Sequence, residues 1–190
     1  MNVLLVDNFD SFTYMLRDYV QQCRVNCDVI RNGESLSSLN VQQWDALIVS
    51  PGPETPEKSG MLLPFLKSSI ANIPVLGICL GHQAIGQVFG SLLTHAAQPR
   101  HGKVDNIRHS GHPLFTGIPT PFAATRYHSL ILKEIRSPLK AVAWSEQDEV
   151  MAVVHETLPV YGVQFHPESC QTPQGIKILE NFLTLAQGKY

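Results

Sequence analysis

Three residues carry side chains that could transfer an acyl group. Cys79 lies in Gly77-Ile78-Cys79-Leu80-Gly81, at the end of an apolar run and ahead of a helix-like stretch, with a glycine two residues to either side. That is the spacing of a nucleophile elbow with cysteine in place of serine: small neighbours let the flanking backbone pack closely while the nucleophile projects from a sharp turn. A thiol at a helix N-terminus is biased towards thiolate by the helix dipole, and a neighbouring imidazolium adds to that bias. The same elbow points the Leu80 amide at the place where a tetrahedral oxyanion would form. On this segment alone, Cys79 could equally be a small apolar residue closing a core strand.

His166-Pro167-Glu168 supplies a base and its orienter. It follows the apolar run Val160 to Gln164, and Pro167 biases His166 towards extended backbone, where residues two apart point to one side. A carboxylate accepting from one ring nitrogen sets the tautomer and leaves the other nitrogen free to exchange a proton with a nucleophile. A metal on His166 is a poor alternative, because no other His or Cys has the close spacing of a zinc site. A third segment, Ser50-Pro51-Gly52-Pro53-Glu54, is a rigid turn in which Gly52 could bring its amide close to a bound carbonyl; a plain structural turn fits it as well.

These segments need a scaffold that gathers strand ends. Short β-branched runs occur at Val3 to Val6, Asp28 to Ile30, Ala46 to Val49, Val75 to Ile78, Lys140 to Ala143, Met151 to Val154 and Val160 to Gln164. Helix-like stretches at Ser11 to Cys23, Gly60 to Ala71, His82 to Phe89 and Pro173 to Ala186 accompany them, with Asp10 or Ser11 and Thr172 as expected caps. Alternation of this kind predicts an α/β fold, a mostly parallel central sheet with helices on both faces. Between Leu92 and Leu132, seven glycines and prolines break the rhythm, and the expectation there is a meander or loop region beside the main sheet. Ligands of open parallel sheets collect beyond the carboxyl ends of the strands, where the Cys79, Ser50 and His166 segments fall.

The chain has 190 residues, 44% of them hydrophobic and 16% charged, which predicts one globular domain spanning residues 1–190 with its own core. A net charge of −2 with no basic stripe argues against nucleic-acid and membrane-surface partners. Met1 to Asp7 shows no export signal and no apolar run is long enough to span a bilayer, so a cytoplasmic chain is expected, with Cys23, Cys27, Cys79 and Cys170 reduced.

The motifs Gly77-Ile78-Cys79-Leu80-Gly81-His82-Gln83, Ser50-Pro51-Gly52-Pro53, Arg126-Tyr127-His128-Ser129-Leu130 and Phe165-His166-Pro167-Glu168-Ser169 occur in the order found in class I glutamine amidotransferases, and the chain resembles that family over essentially its whole length. Asp7 to Tyr14 and His101-Gly102-Lys103 narrow the resemblance to the glutaminase components of chorismate-using synthases. The resemblance implies L-glutamine as substrate, Cys79 as nucleophile, His166 as base oriented by Glu168, and the amides of Gly52 and Leu80 as the oxyanion hole. Gly52, Pro53, Glu54, Gln83, Ser129 and Leu130 would line the glutamine site. The family fold adds a small antiparallel sheet. No cofactor or metal is implied, and the ammonia would pass to a larger chorismate-binding subunit, with Asp7 to Phe9 and His101 to Lys103 as interface candidates. One departure stands out: Glu54 occupies a position that is usually glycine, with a cost of about 1–2 kcal/mol if the turn needs a left-handed backbone there; altered loop geometry rather than lost activity is the expectation. The same side chains would also suit a stand-alone cysteine hydrolase of γ-glutamyl compounds, or a non-catalytic regulatory module that kept the fold.

Overall fold

The computed structural model describes residues 1–188. Its strands are β1 (Asn2–Asp7), β2 (Asn26–Arg31), β3 (Ala46–Val49), β4 (Val75–Ile78), β5 (Leu92–His109), β6 (Phe122–Lys133), β7 (Leu139–Trp144), β8 (Val150–His155) and β9 (Val160–Val163). They form one sheet in the order β2-β1-β3-β4-β9-β8-β7-β5-β6. Pairings from β2 through β9 are parallel, and those from β9 through β8, β7 and β5 to β6 are antiparallel. The helices are α1 (Thr13–Gln22), α2 (Leu62–Ser69), α3 (Leu80–Val88) and α4 (Gly175–Ala186).

The period of two along each strand divides the core. Val3, Leu5 and Ile48 face one way and pack with Leu16 and Val20 of α1 and Ile178, Leu179 and Phe182 of α4. Leu4, Val6, Leu47 and Val49 face the other way and pack with Leu62, Phe65 and Leu66 of α2 and Ala84 and Ile85 of α3. Because β3, β4 and β9 are covered on both faces, every residue in them is buried, which is why these segments read as continuous apolar runs.

Two expectations are corrected. The region from Leu92 to Leu132 is no loose meander: it holds the 18-residue β5 and most of the 12-residue β6, which pair antiparallel and join the rest of the sheet through Arg108↔Trp144 and His109↔Ala143. Two of the seven breakers, Pro99 and Gly102, sit at irregularities of the ladder, where register shifts fall between His95 and Arg100 and between His101 and Lys103; the other five lie in the connection from β5 to β6, where the loop expectation holds. A bulge tolerates a residue that cannot donate to the ladder or that adopts positive φ. The caps differ as well. Helix α1 begins after Phe12 and α4 after Gln174, and neither has a side-chain cap. Asp10 instead accepts from the Phe12 amide at 2.8 Å, one residue before the helix, and the Thr172 hydroxyl is drawn away to the His166 carbonyl at 2.8 Å.

Among the described residues no helix is long and apolar enough to cross a membrane, and no group of three or more His, Cys, Asp or Glu side chains could hold a metal ion.

Candidate active site

Cys79 stands between β4 and α3 with φ 51° and ψ −99°. A non-glycine residue with positive φ costs about 1–2 kcal/mol and persists only when its surroundings hold it there. Here the Cys79 amide donates to the Val163 carbonyl of β9 at 2.8 Å, and its carbonyl accepts from the Gln83 amide at 3.0 Å. The flanking glycines are required by contact: a Cβ on Gly77 would lie 2.4 Å from the Gly81 carbonyl, and one on Gly81 would lie 2.6 Å from the Val49 carbonyl. Leu80 opens α3, so its amide has no acceptor within the helix. Gly52 approaches from the neighbouring strand end, where a Cβ would come within 2.6 Å of the Leu80 side chain and 2.7 Å of Asn8 Cβ. Asn8 anchors that turn, donating through its amide to Ser50 Oγ at 2.9 Å and through Nδ2 to the Ser50 carbonyl at 3.0 Å.

His166 lies beyond β9, where its amide donates to the Thr125 carbonyl of β6 at 2.9 Å. Glu168 Oε1 accepts from His166 Nδ1 at 2.6 Å, with both side chains almost wholly buried. The Pro167 carbonyl is covered by α4 so closely that a Cβ on Gly175 would lie 1.7 Å from it, which leaves the His-Pro-Glu turn one shape. The rings of Phe12 and Tyr127 meet the imidazole edge-on at centroid distances of 6.1 and 5.1 Å. Burial works to lower the imidazole pKa, but interaction with the Cys79 sulfur and with the Glu168 carboxylate outweighs it, and the pKa stands well above its ordinary value. Nε2 has no hydrogen-bond partner among the described residues.

A cavity of about 210 Å³ opens in front of the sulfur, lined by Cys79 together with Gly52, Pro53, Glu54, Gln83, Ser129 and Leu130. It is smaller than the roughly 300–1,000 Å³ of drug-sized ligand clefts and suits an amino acid. Glu54 has φ 61°, so the turn that holds it does use the left-handed region.

The family model for Glutamine amidotransferase class-I matches residues 4–186. The chain belongs to that family. It is 46% identical over 189 residues to anthranilate synthase component 2 of Azospirillum brasilense, covering 95% of this chain and 94% of that protein. It is 43% identical over 190 residues to aminodeoxychorismate synthase component 2 of Serratia marcescens, covering 95% and 98%. Among solved structures, a glutamine amidotransferase of Thermotoga maritima shares the fold with a TM-score of 0.74 at 17% identity, covering 98% of this chain and 97% of that one.

In this class I amidotransferase, Cys79, Gly52, Pro53, Glu54, Gln83, Ser129 and Leu130 all reach one cavity, while His166 and Glu168 lie buried, His166 within interaction range of the sulfur. Sequence reasoning passed over Gln164, whose Nε2 donates to Cys79 Sγ at 3.6 Å, because it read as the last residue of an apolar strand. Tyr127 and His128 also line the cavity and were visible only as members of a motif; His101, expected at an interface, lines it too. A larger cleft of about 640 Å³ lies between α2 and the end of α3 and is lined by no cysteine or histidine. For acyl transfer, chemistry outranks volume.

Glu54 supplies a direct test of the turn. Glu54→Gly removes a left-handed penalty of about 1–2 kcal/mol and adds about 0.5–1 kcal/mol of unfolded-chain entropy. The exposed pair with Lys58 at 3.6 Å contributes little. The expected outcome is a melting temperature equal to or a degree or two above the parent; a fall of several degrees in a thermal scan would show that Glu54 makes stabilising contacts that outweigh its strain.

Proposed function

We propose that this chain, acting as one domain in the cytoplasm, hydrolyses L-glutamine to glutamate and delivers the ammonia to a larger chorismate-binding synthase subunit. The observation that carries the reading is the buried Glu168–His166 pair interacting with an elbow cysteine that faces an amino-acid-sized cavity. The names of relatives in both chorismate-using branches support the choice of partner.

In the proposed reaction the Cys79 sulfur attacks the side-chain amide carbon of glutamine, and the amides of Gly52 and Leu80 receive the negative charge on its oxygen. His166 takes the thiol proton and gives it to the departing nitrogen, which leaves as ammonia and a γ-glutamyl thioester. Water, deprotonated by the same imidazole, then cleaves the thioester to glutamate and regenerates the thiol. Glu168 holds the Nδ1 proton and stabilises each imidazolium as it forms. Gln83, Ser129 and Leu130 hold the polar backbone end of the substrate, and Gly52, Pro53 and Glu54 complete its binding site. The reaction uses no cofactor or metal.

Mixing the purified chain with each candidate synthase subunit, then supplying chorismate and glutamine, tests the reading. One mixture is expected to form anthranilate or aminodeoxychorismate, and that product assigns the branch. Glutamate release that is equally fast with and without every partner would instead support a stand-alone hydrolase.

A further inference from the structure

Arg126 on β6 is the bulkiest fully buried side chain of the molecule, and the proposed reaction does not use it. Two carboxylates from separate elements neutralise it: Asp105 Oδ2 of β5 accepts from Nη1 at 2.6 Å, and Glu149, just before β8, accepts from Nη2. Of its five N–H donors, the one on Nε points along its own strand to His128 Nε2 at 3.0 Å.

A guanidinium can only donate, so His128 Nε2 must be the acceptor, and the imidazole hydrogen must sit on Nδ1. Nδ1 lies 2.9 Å from the Leu130 carbonyl and therefore donates to it. The same carbonyl accepts from Gln83 Nε2 at 3.2 Å, and that amide group also donates to Gln164 Oε1 at 3.2 Å. Gln164 Nε2 in turn donates to the Cys79 sulfur at 3.6 Å. The bonds form one connected network from a pair of buried carboxylates to the nucleophile, with Arg126 donating to both sides and the Leu130 carbonyl accepting from both sides. Burial and the charge of Arg126 push the His128 pKa down to about 3, which keeps the ring neutral at working pH.

The ladder explains why such a device is needed here. Along β6, His128 pairs with Arg100 and Leu130 pairs with His95, so the ladder jumps across a register shift and leaves Ser129 with no partner on β5. A strand segment without regular pairing has little to hold its carbonyls and amides in place. Yet Ser129 and Leu130 line the cavity in front of Cys79.

We infer that Arg126 and His128 are positioning residues for substrate: the guanidinium holds His128 in the tautomer that clamps the Leu130 carbonyl, and this sets Ser129, which has no ladder partner, and Leu130 against the cavity. The inference rests on the glutaminase reading above, and it concerns binding of glutamine rather than the bond-breaking step.

Two substitutions at one position separate this role from simple support of the fold. An asparagine amide can replace Nδ1 of histidine, and a glutamine amide can replace Nε2. His128→Asn keeps the donor to Leu130 and leaves Arg126 Nε unsatisfied in the interior; His128→Gln keeps the acceptor for Arg126 and leaves the Leu130 carbonyl without its imidazole donor. Glutamate release is to be measured with the full chain in complex with its synthase partner, beside a thermal unfolding scan of each variant.

The expected result is a crossed pattern. His128→Gln raises the KM for glutamine about tenfold, the effect of losing roughly one hydrogen bond, with kcat changed far less. His128→Asn melts at the lower temperature of the two, because it leaves a buried charged donor unpaired, yet raises the KM severalfold less than His128→Gln does. Parent-like KM in both variants, or a KM that rises only in step with lost stability, overturns the positioning role while leaving glutamine hydrolysis by the parent chain intact. A parent chain that releases no glutamate in the complex overturns the glutaminase reading itself, and the positioning role with it.

Discussion

Cys79→Ser is expected to lower glutamine-dependent product formation by at least about a thousandfold while leaving the ammonia-dependent reaction of the complex at its parent rate. Serine keeps the size of the side chain, and the elbow does not depend on the identity of the γ atom: the Cys79 backbone is held by Val163 and Gln83 and by the close approach of Gly77 and Gly81. What is lost is a thiolate. A hydroxyl is far harder to ionise, and the imidazole, which is raised in part by the sulfur, loses that partner. Losing the nucleophile of a site that works as a unit removes nearly all of its rate enhancement. Free ammonia bypasses this chain, so its use by the synthase partner shows only that the partner is active; a thermal unfolding scan and co-elution of the variant with the partner are the controls for folding and docking. Glutamine-dependent synthesis that persists in the variant would remove Cys79 from the mechanism.

Lowering the pH from 6.5 to about 4 is expected to cost the folded protein several kcal/mol, before most carboxylates protonate. His82 is completely buried in α3, its ring set beside the Gly162 backbone, and burial lowers its pKa to about 4. His128 is lowered to about 3 by burial and by Arg126. In the unfolded chain both titrate near 6.5. Between those values the unfolded state binds protons that the native state refuses, so stability falls with pH by about 1.4 kcal/mol per unit for each group. Two such groups over this interval approach the whole stability of an ordinary domain, about 5–15 kcal/mol.

His166 has the opposite sign. Its folded pKa is raised, so its contribution is fully present below about pH 6.5 and is lost as pH rises through the folded value; it cannot offset the acid slope. Urea unfolding at pH 7, 5.5 and 4.5 reads the slope directly, and His82→Leu is expected to reduce it by about half. A stability that stays flat across this range would mean that neither imidazole is held neutral in the core.

How far the primary structure reaches can be judged from particular residues. Local chemistry and periodicity were sufficient to mark the Gly77-to-Gly81 elbow, because the need for glycine there arises from contacts within the elbow itself and with one strand neighbour. They marked His166 and Glu168 as well, but for a reason the structure corrects: the two meet across a turn at Pro167 and Glu168, closed by the Ser169 amide donating to the His166 carbonyl at 3.3 Å, and not along the extended backbone expected there. The buried parallel strands announced themselves as apolar runs because both of their faces are covered.

Tertiary structure alone decided the rest. That β5 and β6 are long strands despite Pro99 and Gly102 depends on where their ladder bulges. Thr172 reads as a helix cap and serves the His166 carbonyl instead, because a hydroxyl takes the acceptor that packing places nearest. Gln164 on the sulfur, Tyr127 on the imidazole and Arg126 buried between two carboxylates join residues from 21 to 85 positions apart. Such pairings leave no periodic trace in the sequence, since each depends on the path of the whole sheet and not on the residues beside it.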